Sequence, residues 1–576
     1  MKHLFSCLKR FKAECILAPL FKLLEASLEL VTPLIVALIV DKGIAEGDKQ
    51  FIVLMCLVLV GMGLVGCAFS IAGQFFAARA AVGCSAELRS RLFRKLQSFS
   101  FSQIDEMGTS TMITRMTSDI NQVQTGVNMT LRLFLRSPFI VFGAMAMAFT
   151  VDAKVALVFV AVIPLLAVAV YSVMGACIPL YKKVQAKLDR VFLSVRENLA
   201  GVRVIRAFSM EEKERRAFDE HTRELERAQK KVGRISALTG PITYILINLA
   251  LIALLYLSAG RVDGGILLKG DVIALYSYLS QILVELIKLA NLIVTMTKAV
   301  SCQQRVGKVL DREGEPSVLE PTLSAGHADN AAVRFEHASF AYGGGGNALS
   351  DITFMARPGE TIGIIGGTGA GKSTLVNLLP RFYAATQGRV LLKGRDVRGI
   401  PVEEVRERVG IVPQKAVLFE GTIRSNLLWG NENATDEELM EAVRLAKAED
   451  VVASKGGLDA PVEQEGKNLS GGQRQRLTIA RALVKKPEIL ILDDSASALD
   501  YATDARLRVA LRTLDSTVFL VSQRAASVLH ADLILVLDGG KVAGMGRHEE
   551  LLKTCEIYKE IYHTQFRDTD EKGVQA

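Results

Sequence analysis

The chain lacks the cysteine spacing that staples small secreted folds or holds a metal. Its eight cysteines, Cys7, Cys15, Cys56, Cys67, Cys84, Cys177, Cys302 and Cys555, form no C-x-x-C pair. Most lie in apolar stretches, where a free thiol behaves as a small hydrophobe, so no disulfide framework is expected. A basic stripe interleaved with aromatics is also missing, which argues against a nucleic-acid partner despite a formal charge of +8. The N-terminus shows no small-residue cleavage site, and its first apolar segment, roughly 16–40, is too long for a signal-peptide core. Residues 1–14 set Lys2, Lys9, Arg10 and Lys12 among Leu4, Phe5, Leu8 and Phe11. That pattern suits a basic amphipathic helix on the inner membrane surface, with a frayed basic tail as the plainer alternative.

What the chain has in quantity is apolar length. Of 576 residues 50% are hydrophobic, and the mean hydropathy is +0.28. The average hides a split. Residues 1–310 carry long apolar runs, whereas 331–576 read as an ordinary α/β domain. A bilayer core takes ~20 apolar residues per helix. Six runs qualify, at 16–40, 51–80, 133–151, 154–177, 240–261 and 272–298. Lys and Arg concentrate between the second and third runs and between the fourth and fifth. The N-terminus, both long loops and the C-terminal domain are therefore expected on the cytoplasmic side. Val191, Val195, Leu199 and Val202 recur at helical spacing among charges, so spans two to five should extend as helices beyond the bilayer. Glu25 and Glu29 in the first span and Glu285 and Lys288 in the sixth read as substrate or proton contacts, as ion pairs across helices, or as side chains snorkelling near the inner face. Pro33 and Pro138 are expected to kink their helices.

Chemistry is concentrated in the C-terminal part. Gly366-Gly367-Thr368-Gly369-Ala370-Gly371-Lys372-Ser373-Thr374 is a full G-x-x-x-x-G-K-[ST] phosphate loop between an apolar strand and a helix. Its glycines let backbone N–H groups close round phosphate oxygens. Lys372 would neutralise the β- and γ-phosphates and Ser373 would ligate Mg²⁺, which names ATP and Mg²⁺ as cofactors. Leu469-Ser470-Gly471-Gly472-Gln473 follows about a hundred residues later, and Ile489-Leu490-Ile491-Leu492 then runs into Asp493.

Those three motifs in that order resemble the ATP-binding cassette family, over the last ~240 residues. The resemblance implies a fold of six transmembrane helices of the type IV exporter kind followed by an α/β P-loop NTPase. It assigns Tyr342 to stacking on adenine, Gln414 to Mg²⁺ and the attacking water, Asp493 to Mg²⁺, and Asp500 to a loop facing a partner cassette. It also implies that Ser470, Gly471, Gly472 and Gln473 cap ATP held by an opposite subunit, so the chain resembles a half-transporter that needs a dimer. Residues 197–208 resemble the second coupling segment of exporters; Gly108, Arg115 and Asp119 match the first, and Ser301 and Arg305 the segment after the last span. Expected boundaries are 1–310 for the membrane domain, 311–330 for a linker broken by Pro316 and Pro321, 331–568 for the cassette and 569–576 for a tail.

Two positions depart from the family pattern. The residue after Asp493 is normally Glu, the base that activates water, and here it is Asp494. One methylene less leaves the carboxylate roughly 1–1.5 Å short, a misplacement that costs ~10²-fold. The switch residue is normally His, and here it is Gln523, which cannot carry a proton near pH 7. The Glu-Arg-Gly usual before the signature reads Gln464-Glu465-Gly466. Both site changes touch hydrolysis and leave binding intact, which resembles the degenerate subunit of a heterodimeric multidrug exporter. The expectation is ATP-driven export of a hydrophobic or amphipathic substrate across the cytoplasmic membrane, with a different half-transporter supplying Glu and His. The alternatives are a homodimeric exporter with a slow ATPase, an importer of metal chelates on the same scaffold, and an ATP-gated channel or regulatory subunit.

Overall fold

The computed structural model describes residues 2–319, 330–343 and 345–570. Half of the expected linker, with Pro321, and most of the expected tail lie outside these residues. The described residues divide into two compact units. One comprises 1–97 and 110–312, and the other 98–109 and 313–576.

The first unit is built of six long helices: α1 (Lys2–Ile44), α2 (Lys49–Gln97), α3 (Thr109–Val151), α4 (Ala153–Ala200), α5 (Glu211–Asp263) and α6 (Lys269–Leu310). Each contains a stretch long and apolar enough to cross a bilayer. All run well past the apolar stretches read from the sequence, because amphipathic polar segments continue the helical hydrogen bonding. α1 packs along α2 and α6, α3 along α6 and α2, and α4 along α5. At the end carrying the short connections, Asp152 caps α4 by accepting from the Lys154 and Val155 amides, both at 2.9 Å. Its other oxygen takes Arg261 Nε at 2.6 Å. Asp41 accepts from the Gly270 amide at 2.7 Å. A Cβ on Gly270 would lie 2.3 Å from the Ala37 carbonyl, so glycine is what lets α6 start against α1.

Pro138 acts one turn upstream of itself. It has no N–H to give the carbonyl of residue 134, and the helix relaxes into a turn at 134–135 before resuming at Arg136. Pro33 sits inside a continuous helical stretch, Lys12–Leu38. Two π-helical turns, Ile39–Ile44 and Arg115–Asp119, carry no signal in the sequence.

The charges expected inside the spans meet one another. Arg136 on α3 reaches Glu285 on α6 at 2.7 Å and Glu29 on α1 at 2.6 Å. Lys288 and the Ser137 hydroxyl complete the shell of Glu285, each at 2.7 Å. Lys22 pairs with Glu25 at 2.6 Å and donates to Ser70 on α2 at 3.0 Å. Three acids and three bases balance, which is how charge is kept at this depth.

In the second unit the strands in chain order are β1 (Val333–Ala341), β2 (Asn347–Ala356), β3 (Thr361–Gly366), β4 (Gln387–Leu392), β5 (Arg395–Asp396), β6 (Val409–Val412), β7 (Gly421–Thr422), β8 (Pro461–Val462), β9 (Ile489–Asp493), β10 (Thr517–Val521), β11 (Leu533–Asp538) and β12 (Lys541–Gly546). The main sheet has the order β12-β11-β3-β10-β9-β6 and is parallel except for β12. β9 and β10 are buried along their whole length, as a sheet covered on both faces requires. A second sheet, β2-β1-β4-β5, is antiparallel, and its Phe335, Ile352 and Phe354 pack in one core with Ile364, Ile491 and Phe519 of the main sheet. β7 and β8 form a separate pair.

Candidate functional site

Four motif-bearing loops leave the carboxyl ends of neighbouring parallel strands: β3 at Gly366, β6 at Val412, β9 at Asp493 and β10 at Val521. Open α/β sheets bind ligands at this edge. Two glycines make the first loop possible. A Cβ on Gly366 would lie 2.1 Å from the Leu537 carbonyl, and Gly371 holds φ at +95° with Leu349 and Ala348 within 3 Å of any added Cβ. The Lys372 side chain arches back over the loop and donates to the Gly366 and Gly367 carbonyls at 2.8 and 2.7 Å. That leaves one of its three N–H donors for an incoming anion. Burial pushes its pKa down, and the charges of Asp494 and Asp493 oppose that shift.

Ser373 Oγ donates to Asp493 Oδ1 at 2.9 Å. Burial raises the Asp493 carboxyl above its ordinary range, as does the neighbouring Asp494, while Ser373 pulls it down. Asp494 is pinned by its amide, which donates to the Val521 carbonyl at 3.0 Å, and its φ is +46°. That left-handed conformation suits Asp better than a longer side chain. Burial pushes its carboxyl up too, and Gln414 Nε2 approaches Asp494 Oδ2 at 3.4 Å. Lys372, Ser373, Gln414, Asp493 and Asp494 are thus brought together. A buried carboxylate, a hydroxyl and an amide are the hard oxygen donors that a magnesium ion takes together with phosphate, so the donor set fits Mg²⁺.

Tyr342 offers a half-exposed ring whose hydroxyl lies 3.1 Å from Thr374 Oγ1. Phe340 and Tyr383 meet that ring edge-on at 4.8 and 5.2 Å, leaving a flat face for a base. Gln523 follows β10 with its side chain exposed. Ser470 caps α7 (Gly471–Val484): its hydroxyl accepts from the Gln473 amide at 3.2 Å, and Gln473 Oε1 accepts from the Ser470 amide at 2.9 Å. The chain does not join this segment to its own phosphate loop, since no hydrogen bond links 470–473 to 366–374 among the described residues. Asp500 caps α8 (Tyr501–Leu511), accepting from the Thr503 amide at 2.8 Å, and that bond lowers its pKa.

The sequence of the chain is similar to families with known architecture. Residues 15–286 match the family described as ABC transporter transmembrane region, and residues 349–497 match the one described as ABC transporter. An ABC transporter ATP-binding protein of Bacillus subtilis (strain 168), YfiB, is 36% identical over 571 residues, covering 98% of this chain and 99% of that protein. This chain belongs to the ABC transporter family. Its cassette binds ATP, and its six candidate spans make it a multi-pass membrane protein. The probable multidrug resistance ABC transporter YheI of the same organism is 34% identical over 84% of each chain. An ATP-dependent lipid A-core flippase of Chromobacterium violaceum is 30% identical over 92% of this chain and 91% of its own. A bacterial Atm1-family ABC exporter solved with ATP bound shares the fold, with a TM-score of 0.80 at 23% identity over 97% of the transporter and 98% of that chain. With one membrane domain fused to one cassette, the transporter is a half-transporter and needs a second chain.

The motif reading missed residues that act through distant contacts. The short helix Phe101–Met107 belongs to the second unit, and Phe101 stacks on Phe382 with ring centres 4.2 Å apart. Tyr383 donates to Asp105 at 2.6 Å while touching the Tyr342 ring. Nothing in local spacing links residues so far apart in sequence. Of the positions matched to the first coupling segment, Arg115 and Asp119 pair at 2.7 Å, and Asp119 also receives Arg305 Nε, from the segment after the last span, at 3.0 Å; Gly108 ends the short helix at φ +74°.

Proposed function

We propose that the transporter is the nucleotide-retaining half of a heterodimeric exporter. One observation carries this reading. The binding half of the site is complete, from the Tyr342 ring to the Lys372 arch and the Ser373–Asp493 pair. The hydrolytic half carries Asp494 and Gln523 in place of Glu and His. Tyr342 stacks the base and Lys372 holds the β- and γ-phosphates. Ser373, Gln414 and Asp493 would hold the magnesium ion, whose charge offsets that of the phosphates. Asp494 is too short to take a proton from a water that Gln414 also contacts, and Gln523 cannot carry one. ATP therefore binds and stays.

Ser470, Gly471, Gly472 and Gln473 remain intact and serve the nucleotide of the other chain. Asp500 faces that chain. The second coupling segment supports a covering partner as well. Around the short helix Val202–Ala207, Leu199 is 72% exposed and Phe208 71% exposed, more apolar surface than water-facing helices leave bare. The Lys and Arg distribution supports an N-terminus and cassette on the cytoplasmic side of the cell membrane. The apolar spans, and the printed names of a flippase and a multidrug resistance transporter among the relatives, support a lipid-like or amphipathic cargo.

The test is ATP-driven uptake of a fluorescent amphiphile into inside-out vesicles. Uptake should require this chain, a second half-transporter carrying Glu and His, and ATP. Uptake by this chain alone points to a homodimer, and ATP-driven loss of dye from the vesicles points to an importer.

A further inference from the structure

The switch segment is held from behind by the last helix of the chain. In α9 (Glu556–Asp570), Gln565 accepts from the Ala525 amide through Oε1 at 2.7 Å and donates through Nε2 to the Gln523 carbonyl at 2.8 Å. One side-chain amide thus pairs with the backbone on both sides of Arg524, as a strand would. The helix is a firm base for this. Tyr558 is fully buried, and Ile561, Tyr562 and Phe566 pack against the core.

The grip carries further. Arg524, between the two clamped groups, lays its guanidinium over the Tyr501 ring at 5.1 Å and reaches the Ser497 carbonyl at 3.5 Å. Ser497 Oγ in turn donates to the Asp494 carbonyl at 2.8 Å. Buried Arg524 Nη1 has no hydrogen-bond partner among the described residues. Gln565 lies about forty residues beyond the switch, and both of these hydrogen bonds go to backbone groups.

We propose that Gln565 is the positioning residue of the switch segment, and that through it α9 sets how long nucleotide stays at this chain's phosphate loop. The clamp stands on its own geometry; its effect on retention rests on the function proposed above. A neutral amide is suited to the task because one group must accept from an N–H and donate to a carbonyl at once. Leucine can do neither, and glutamate can only accept.

The test uses the full-length chain in nanodiscs, as wild type, Gln565→Leu and Gln565→Glu, with radiolabelled ATP and Mg²⁺. In Gln565→Leu the Ala525 amide should exchange about tenfold faster, the change expected for one lost neutral hydrogen bond. Chased ATP should leave several-fold faster, while the melting temperature and the exchange of the Tyr558 amide stay as in wild type. Gln565→Glu should keep the Ala525 amide protected and still speed release, because the Gln523 carbonyl is then opposed by a carboxylate. Unchanged Ala525 exchange in Gln565→Leu overturns the clamp. Faster exchange throughout α9 with a lower melting temperature also overturns it, in favour of a helix anchor alone. Rapid ATP turnover by the wild-type chain contradicts the retention reading without touching the exchange result, so the two failures are told apart.

Discussion

At the scale of single residues, the proposed retention of ATP turns on Asp494 and Gln523. Asp494 sits at φ +46° with its amide tied to β10, a conformation that Asp adopts more readily than Glu. Asp494→Glu therefore restores reach at some backbone cost and still leaves Gln523 unable to move a proton. ATP turnover by this variant should rise only a few-fold, well short of the ~10²-fold that a correctly placed base supplies. Steady-state phosphate release measures this, and a single Asp494→Glu variant matching a fully competent relative would refute it. The gathering of Lys372, Ser373, Gln414, Asp493 and Asp494 was legible in the sequence because each motif is a contiguous run whose chemistry needs fixed neighbours. Gln565, Tyr383 and Asp105 were not legible. Their partners lie 40 to 278 residues away, and a glutamine on an amphipathic helix carries no local mark of what it touches.

At the scale of elements, the six spans were legible because ~20 apolar residues in a row have few other uses. Their full lengths were only partly so, since the polar extensions follow a weaker helical repeat. The π turns at Ile39–Ile44 and Arg115–Asp119 had no signature at all. The intramembrane acids were seen as candidates, but the sequence left open whether they meet cargo or one another, because pairing depends on how helices are rotated. Arg136 is the hub that ties α1, α3 and α6. Arg136→Met strands Glu29 and leaves Glu285 with Lys288 and Ser137. It should destabilise the membrane unit by about 3 kcal/mol, the scale for breaking a buried pair from one side. Glu285→Gln should cost less, since an amide can still accept from Ser137 and Arg136. Thermal unfolding in detergent ranks the two, and equal stability of Arg136→Met and wild type would contradict the hub.

A second element, α9, has its own pH signature. His548 Nδ1 lies 2.8 Å from the buried Tyr558 hydroxyl, and burial lowers the imidazole pKa. The folded state thus prefers the neutral ring, whereas the unfolded chain protonates near ~6.5. Stability from this contact is present above that pH and falls as pH drops below it. The melting temperature of the cassette should decline more steeply from pH 7.5 to 5.5 in wild type than in His548→Gln; parallel declines would remove His548 from the explanation.

At the scale of the whole molecule, each unit is complete as a fold and incomplete as a machine. Among the described residues no hydrogen bond joins the signature segment to the chain's own phosphate loop, and six spans with one cassette make a half-transporter. The exposed apolar residues around Val202–Ala207 await a covering surface. The need for a second chain follows from those features together, while its identity turns on whether this chain can hydrolyse ATP unaided. The most direct measurement is therefore the ATPase rate of a membrane-reconstituted preparation containing this chain and no other half-transporter. The account expects bound, slowly released ATP with turnover near background, rising when a chain carrying Glu and His is added. Turnover by the single chain at the rate of a pump with two competent sites would contradict it.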